Sequence, residues 1–259
     1  MTATAVSWTS DGPEDAPVVV LSSSLGATRG MWDAQVPALA ERYRVISYDT
    51  RGHGESPSPD GAWSLDDLVD DVVALLDEVG AARAHVVGLS LGGMTAMRLA
   101  AREPARVHRL AVLCTSAKVD PDAYRQRAAA ARSDGTATLA PTVVSRWVTP
   151  DFAAAHPHEV ARLEAMVAGA DDEGYARCCE VLASLDLRED LGRIAAPTLV
   201  VSGAEDVALP PDHQRAIADG IRGAELQSFS PAAHLANVEQ PLQVTGALLG
   251  HFDAAGDER

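Results

Sequence analysis

The stretch His85-Val86-Val87-Gly88-Leu89-Ser90-Leu91-Gly92-Gly93 decides the fold. The short apolar run at residues 85–89 predicts a buried strand, and residues 94–102 predict a helix. Between them lies the pattern G-x-S-x-G, which at a strand-to-helix turn is typical of a nucleophilic serine. The glycines are required because the sharp turn leaves no room for side chains beside the serine. The sequence therefore predicts Ser90 as a nucleophile at a helix N-terminus, where the helix dipole favours developing negative charge.

Predicted strands and helices alternate on both sides of this turn. Strands are expected at residues 18–21, 43–48, 85–89, 110–114, 197–202 and 226–229, and helices at 65–79, 94–102, 212–221 and 242–252. Such alternation predicts an α/β fold with a mostly parallel sheet and helices on both faces. Ligands bind such sheets at the carboxyl ends of the strands, so the loops that follow strands are candidates for the site. The acidic residues within 65–79 predict a solvated helix face.

One long segment interrupts the alternation. From about residue 118 to 193 no strand is predicted, and Ala-rich helical stretches are broken by Pro141, Pro150 and Pro157. We interpret residues 118–193 as a helical cap inserted into a core formed by 1–117 and 194–259. The chain length of 259 residues fits one large α/β domain that carries such an insertion.

Composition limits the partners. The net charge of -16 would repel nucleic acid and anionic lipid, so a small molecule is the expected partner. An anionic substrate would need a local cation, since the Debye length is only about 8 Å. The N-terminal residues show no secretory signal, and no apolar run is long enough to span a membrane. With three cysteines, this predicts a cytoplasmic protein with reduced thiols. The sequence carries no signal for an oligomeric state.

A serine hydroxyl becomes nucleophilic only when a positioned base takes its proton, and in this type of fold the acid precedes the histidine along the chain. His234 follows the predicted strand 226–229 and precedes a helix. Asp206 lies in Ser202-Gly203-Ala204-Glu205-Asp206, after the predicted strand 197–202. We therefore predict a Ser90, His234 and Asp206 triad, with Glu205 as the neighbour that could be mistaken for the acid.

Acyl transfer also needs hydrogen-bond donors for the oxyanion. One is expected to be the backbone N–H of Leu91, the residue after the nucleophile. The second is expected to be the backbone N–H of Leu25, in the loop Ser22-Ser23-Ser24-Leu25-Gly26 after the first predicted strand. His53 is expected to make structural hydrogen bonds near the site. No metal or organic cofactor is expected.

Motifs along nearly the whole chain resemble the α/β-hydrolase superfamily, and several resemble the 3-oxoadipate enol-lactonases within it. The matches include Tyr48-Asp49-x-Arg51-Gly52-x-Gly54-x-Ser56, Gly88-Leu89-Ser90-Leu91-Gly92-Gly93-Met94, Arg146-Trp147-Val148-Thr149-Pro150-Asp151-Phe152, Gly174-Tyr175-Ala176-Arg177-Cys178-Cys179-Glu180 and Ala233-His234-Leu235-Ala236-Asn237-Val238-Glu239-Gln240-Pro241. Ser22-Ser23-Ser24-Leu25-Gly26 is similar to the family's S-N-S-L-G. Two positions depart from the family pattern, Ser23 for Asn in the oxyanion loop and Ala236 for Ser.

The resemblance implies that Ser90 attacks the carbonyl of a small lactone and that the ring opens to 3-oxoadipate through an acyl-enzyme. The substrate carries a carboxylate, for which Arg146, beside Trp147 in the cap, is the first candidate and Arg177 the second. The alternative is that these arginines only pair with surface acids. An esterase or a cofactor-free haloperoxidase of the same fold is a second reading, because fold does not fix the acyl group. A ligand receptor that retains the triad is a third.

Overall fold

The computed structural model describes residues 3–254, and its centre is one seven-stranded sheet with the order β1-β3-β2-β4-β5-β6-β7. The strands are β1 Trp8–Asp11, β2 Val18–Ser22, β3 Arg44–Tyr48, β4 Ala84–Leu89, β5 Val107–Leu113, β6 Thr198–Gly203 and β7 Glu225–Phe229. All neighbouring pairs are parallel except β1 with β3. The predicted mostly parallel α/β fold is confirmed.

Eleven α-helices accompany the sheet within residues 3–254. They are α1 Val36–Ala40, α2 Leu65–Glu78, α3 Leu91–Arg102, α4 Pro121–Asp134, α5 Thr136–Val144, α6 Pro150–Ala155, α7 Pro157–Ala168, α8 Asp172–Ser184, α9 Pro211–Gly220, α10 Ala236–Glu239 and α11 Pro241–Asp253. No helix in this part of the chain is long and apolar enough to cross a membrane.

The middle of the sheet forms the centre of the core. All six residues of both β4 and β6 are buried, as expected for strands of a parallel sheet that is covered on both faces. Helix α3 packs on β4 and β5 and buries most of its residues. Because β4 and α3 are both rigidly packed, the turn that joins them is held in place from two sides.

Strand β1 was not predicted. It pairs antiparallel with β3 at the sheet edge, where Trp8 lies opposite Tyr48. Its four residues, Trp-Thr-Ser-Asp, are half-buried or exposed, so they lack the apolar alternation by which strands are recognised. The backbone pairing with β3, rather than burial, therefore defines this strand.

The acidic side of α2 is not the solvated face that the sequence predicted. Asp71 is buried and pairs with the equally buried Arg51, with 2.6 Å between Oδ1 and Nη2. Asp66 pairs with both Arg98 and Arg102, which lie on α3. The Asp66 pairs join α2 to α3, and the Asp71 pair joins α2 to the loop after β3, so these acidic positions of α2 contribute to packing.

The five helices α4 to α8 lie between β5 and β6, within the segment that the sequence predicts to be a cap. Helix α4 packs along α8, and α5 packs along α7. The two ends of the segment meet where the N–H of Leu187 donates to the carbonyl of Ala117, at 2.8 Å. The start and the end of the helical segment thus lie next to each other, and helices α4 to α8 are called the cap below.

Candidate active site

Ser90 occupies a strained turn between β4 and α3. Its φ of 55° and ψ of -115° lie where a residue other than glycine is rarely found. The turn closes because Gly88 and Gly92 are almost in contact, and a Cβ on Gly88 would lie 2.1 Å from the carbonyl oxygen of Gly92. The backbone thereby presents the Ser90 side chain, at the N-terminus of α3, to a cavity. Such stored strain is a common feature of functional residues.

His234 and Asp206 meet at the neighbouring strand ends. The Nδ1–H of His234 donates to Oδ2 of Asp206 at 2.8 Å, and both side chains are buried. The other oxygen of Asp206, Oδ1, accepts the backbone N–H groups of Ala208 and Leu209 at 2.8 and 2.9 Å. The carboxylate is therefore fixed on both oxygens, and it fixes the tautomer of His234 that leaves Nε2 free to accept a proton.

Glu205 has a different position from its neighbour Asp206. Its carboxylate accepts from the Ser230 hydroxyl at 2.7 Å and from the backbone N–H of Ala232 at 2.8 Å. It therefore stabilises the loop that leads to His234 and does not contact the imidazole. The structure brings Asp206, and not Glu205, to His234.

A cavity of about 550 Å³ lies between the sheet edge and the cap. From the core it is lined by Ser90, His234, Leu25 and Leu209, so Ser90 and His234 open into the same space. From the cap, α4 and its N-cap residue present Asp120, Ala123, Tyr124 and Arg127, and α5 with the turn after it presents Leu139, Thr142, Val143 and Arg146. Both sets follow the helical spacing of three and four residues, so each helix contributes a single stripe.

The two expected oxyanion donors are backbone N–H groups without an acceptor among residues 3–254. Leu91 is the first residue of α3, where no intrahelical acceptor exists, and Leu25 lines the cavity. The neighbouring amides are occupied, since Gly92 N–H donates to the carbonyl of Ser23 at 3.1 Å and Gly26 N–H donates to Nε2 of His53 at 2.9 Å. The loop is therefore held through its flanking amides.

His53 is the residue that anchors the oxyanion loop. Its Nδ1–H donates to the carbonyl of Arg51 at 3.1 Å, which leaves Nε2 as the acceptor for Gly26. Burial lowers the pKa of His53 below the ordinary 6.5, so the ring stays neutral and can accept. The Ser23 hydroxyl donates within the same loop, to the carbonyl of Thr28 at 3.3 Å. The departure at Ser23 thus leaves a side chain that supports the loop.

A second set of contacts joins the cap to the histidine loop. The buried carboxylate of Glu239 accepts from the N–H and hydroxyl of Thr149, at 2.9 and 2.6 Å, and from the N–H of Ala233 at 2.5 Å. The N–H of Leu235 donates to the carbonyl of Trp147 at 2.8 Å. Glu239 was assigned no role from the sequence, although it is the single acid within residues 231–242, which was the signal available.

Of the three residues predicted to bind the substrate, two line the cavity and one does not. Trp147 is buried and lines the cavity, and Arg146 lines it from an exposed position with Nη2 donating to the carbonyl of Val207 at 2.9 Å. Arg177 is absent from the cavity lining. Its guanidinium pairs with Glu173 at 2.9 Å and lies over the Trp63 ring at 5.5 Å. Arg177 thus contacts Glu173 of α8 and Trp63, which precedes α2, and does not line the cavity.

Arg127 and His213 line the cavity and were not predicted. Nδ1 of His213 lies 2.7 Å from the Ser116 hydroxyl oxygen. Arg127 shares a helical stripe with Tyr124 and Ala123, and this periodicity on α4 was the signal that could have identified it. Neither residue belongs to a motif quoted for the family resemblance.

A family model described as alpha/beta hydrolase fold matches residues 17–241. The chain belongs to the α/β-hydrolase family. This hydrolase is 38% identical to 3-oxoadipate enol-lactonase 2 of Acinetobacter baylyi over 238 residues, which cover 92% of this chain and 89% of the relative. It is 33% identical to a putative carbamate hydrolase RutD of Variovorax paradoxus, with 92% of each chain covered. The resemblance inferred from the motifs is confirmed.

Solved structures agree with these relatives. The enol-lactonase from Burkholderia xenovorans LB400 is 38% identical and superimposes on the hydrolase with a TM-score of 0.93, covering 95% of this chain and 96% of that one. A thermophilic esterase from Thermogutta terrifontis is 28% identical, with a TM-score of 0.90 over 95% of this chain and 92% of the esterase. The backbone of the hydrolase is therefore shared by proteins described as acting on lactones and on esters.

Proposed function

We propose that the protein opens the lactone ring of 3-oxoadipate enol-lactone to give 3-oxoadipate, using Ser90 as nucleophile, His234 as base and Asp206 as the orienting acid. The observation that carries the proposal is the hydrogen bond between His234 and Asp206 in the cavity into which the strained Ser90 opens. Relatives named 3-oxoadipate enol-lactonase, at 36 and 38% identity, supply the substrate.

The reaction follows from the arrangement of these groups. His234 Nε2 takes the proton of Ser90 as its oxygen attacks the lactone carbonyl, and the N–H groups of Leu25 and Leu91 stabilise the resulting oxyanion. The ring C–O bond then breaks, the leaving enolate takes the proton from His234, and the enol can convert to the ketone. A water activated by His234 hydrolyses the acyl-enzyme and restores Ser90. Each oxyanion donor contributes about 3 kcal/mol to the transition state.

Loss of the enol-lactone, followed by ultraviolet absorbance, tests the proposal. We expect turnover by the wild type and a loss of about 10⁶-fold in kcat for Ser90→Ala, since serine hydrolases lose roughly this factor with their nucleophile. Ser133→Ala, an exposed cap serine, is the matched control and should keep full activity. Hydrolysis of a simple aryl ester without lactone turnover would keep the serine chemistry and contradict the substrate.

Hydrolysis of a carbamate is the second candidate function. It is favoured by the RutD relative, which is 33% identical over 92% of each chain. A phenyl carbamate assayed beside the enol-lactone separates the two functions. We expect the lactone to be hydrolysed faster than the carbamate. Faster hydrolysis of the carbamate, abolished in Ser90→Ala, would favour carbamate hydrolysis as the function.

A further inference from the structure

The cap side of the cavity carries a cation that no acid neutralises. Arg127 faces the cavity from α4, and no ion pair within residues 3–254 involves it. Two other arginines of the same helix are paired, Arg125 with Asp122 and Arg132 with Glu173. In a chain with a net charge of -16, Arg127 thus keeps a positive charge at a cavity wall, where it is available to an anionic ligand.

The acid of the same stripe does not neutralise Arg127. Asp120 begins the helix and uses its Oδ1 to accept the N–H of Asp122 at 3.0 Å. Seven residues of helix separate Asp120 from Arg127, which is about 10 Å along the axis. The charge of Asp120 is satisfied at the helix N-terminus, where the dipole stabilises it.

Two aromatic rings hold the Arg127 guanidinium. Its central carbon lies 5.9 Å from the ring centroid of Tyr124 and 6.0 Å from that of Tyr175. Burial raises the pKa of both tyrosines, so each remains a neutral phenol. The rings attract the cation through their π faces without removing its charge. The arrangement therefore positions a charged guanidinium for another anion.

Tyr175 also connects this arrangement to the oxyanion loop. A Cβ on Gly26, the residue after Leu25, would lie 3.0 Å from Cε2 of Tyr175. The same ring thus packs against both the loop expected to hold the scissile carbonyl and the guanidinium. A small substrate whose carbonyl lies at Ser90 can therefore reach Arg127 within the one cavity.

Arg146, the other cavity arginine, is in a less suitable place. It is exposed, and its Nη2 already donates to the carbonyl of Val207. Arg127 is half-buried. Because water screens an exposed charge strongly, the half-buried guanidinium attracts an anion more than the exposed one.

We propose that Arg127 is the carboxylate-binding residue of the cavity, and that the site selects lactones and esters with a free carboxylate at the end remote from the scissile carbonyl. The inference rests on the hydrolysis proposed above. A neutral substrate of the same shape would displace water from Arg127 and leave the guanidinium without a partner, which disfavours it.

A pair of aryl esters isolates this effect. Mono-4-nitrophenyl adipate carries the carboxylate, and its methyl ester is the neutral counterpart. We expect the wild type to prefer the charged ester, and Arg127→Met to lose roughly 10- to 100-fold in kcat/KM on that ester alone, the range of a hydrogen bond to a charged group. Arg127→Lys should recover part of the loss. Arg125→Met removes one charge from the exposed side of the same helix and should change neither rate.

Three results would overturn the inference: equal loss on both esters in Arg127→Met, no charge preference in the wild type, or loss of the preference in Arg146→Met while Arg127→Met retains it. If Arg127→Met does not fold, inhibition of wild-type neutral-ester hydrolysis decides, with adipate expected to bind more tightly than dimethyl adipate. Equal inhibition by the two would contradict the proposal. A wild type that keeps its ester preference but ignores the enol-lactone would refute the proposed function and leave this inference standing.

Discussion

The two walls of the cavity are built in different ways. The core wall depends on backbone geometry: a strained Ser90, the free amides of Leu25 and Leu91, and a carboxylate on Asp206 that is fixed by backbone N–H groups. The cap wall depends on side chains that project from two helical stripes, with Arg127 among them. A site built from backbone geometry requires glycines at particular positions. A wall built from one face of a helix can be formed by many different side chains. With the proposed function, chemistry and substrate selection are carried by separate parts of the chain.

Replacing the acid of the core wall should give the largest effect. Asp206→Asn keeps the shape but removes the carboxylate that fixes the His234 tautomer, so we expect kcat to fall by about 10⁴-fold, as in other serine triads. The loss should be equal for charged and neutral esters, since the cap wall is untouched. Asp212→Asn, an exposed acid on α9, is the control. A loss of kcat confined to the charged ester would show that the core wall also contributes to substrate selection.

The anchor of the oxyanion loop should give the next effect. His53→Ala removes the acceptor of Gly26 N–H, so we expect kcat to fall by about 10- to 100-fold on both esters, with little change in KM. His158→Ala, an exposed cap histidine, should have no effect. Unchanged kcat in His53→Ala would show that the loop holds its shape without this contact.

His53 also gives the core a pH dependence. Its folded-state pKa lies below 6.5, so the unfolded chain binds more protons as pH falls below 6.5. The free energy of unfolding should therefore decrease with falling pH in that range, and His53→Ala should show a shallower decrease. Urea unfolding at several pH values between 5 and 7.5 measures both slopes. A steeper slope in the variant would contradict the assignment.

Glu239 joins the two walls, and its replacement should have a moderate effect. In Glu239→Gln the side-chain amide cannot accept from both Thr149 and Ala233, so a buried donor is left unpaired. We expect a loss of about 1–3 kcal/mol in unfolding free energy. The ratio of kcat/KM between the charged and the neutral ester should stay at the wild-type value, while both rates decrease. Glu189→Gln, exposed in the structure, is the control, and a changed ratio in Glu239→Gln would show that Glu239 also affects selection.

The smallest effect is expected from removing the hydroxyl group of Tyr175. Its hydroxyl is buried without a hydrogen-bond partner among the described residues. Tyr175→Phe keeps the ring beside Arg127 and Gly26, so unfolding free energy should change by less than about 1 kcal/mol and the charge preference should remain. Tyr175→Ala removes the ring and should cost about 3–5 kcal/mol. Loss of the charge preference in Tyr175→Phe would mean that the hydroxyl, and not the ring, holds the ligand.

The difference between the walls also explains what the sequence could predict. Strands β4 and β6 are buried along their whole length and mostly apolar, and the glycine pattern around Ser90 marks the turn between β4 and α3. Both signals are local. Strand β1 was missed because its Trp-Thr-Ser-Asp residues are mostly exposed and it is defined by pairing with β3, which is 33 residues or more away along the chain.

The residues of the cap wall that face the cavity could be identified only from the structure. Arg127, Arg146 and Arg177 all lie in helical, charged surroundings, and the sequence favoured the last two because they belong to family motifs. Which arginine faces the cavity depends on how α4, α5 and α8 are turned toward the core, and that is set by packing between distant segments. In the motif that contains Arg177, the ring of Tyr175 is the group that reaches Arg127.

Covalent labelling of Ser90 by a neutral aryl phosphonate tests most directly whether the core wall carries the chemistry alone. We expect intact-protein mass spectrometry to show one adduct on wild type and on Arg127→Met at equal rates, much slower labelling of Asp206→Asn, and none on Ser90→Ala. Absence of labelling in the wild type, or an adduct on Ser24 or Ser116 instead, would contradict it.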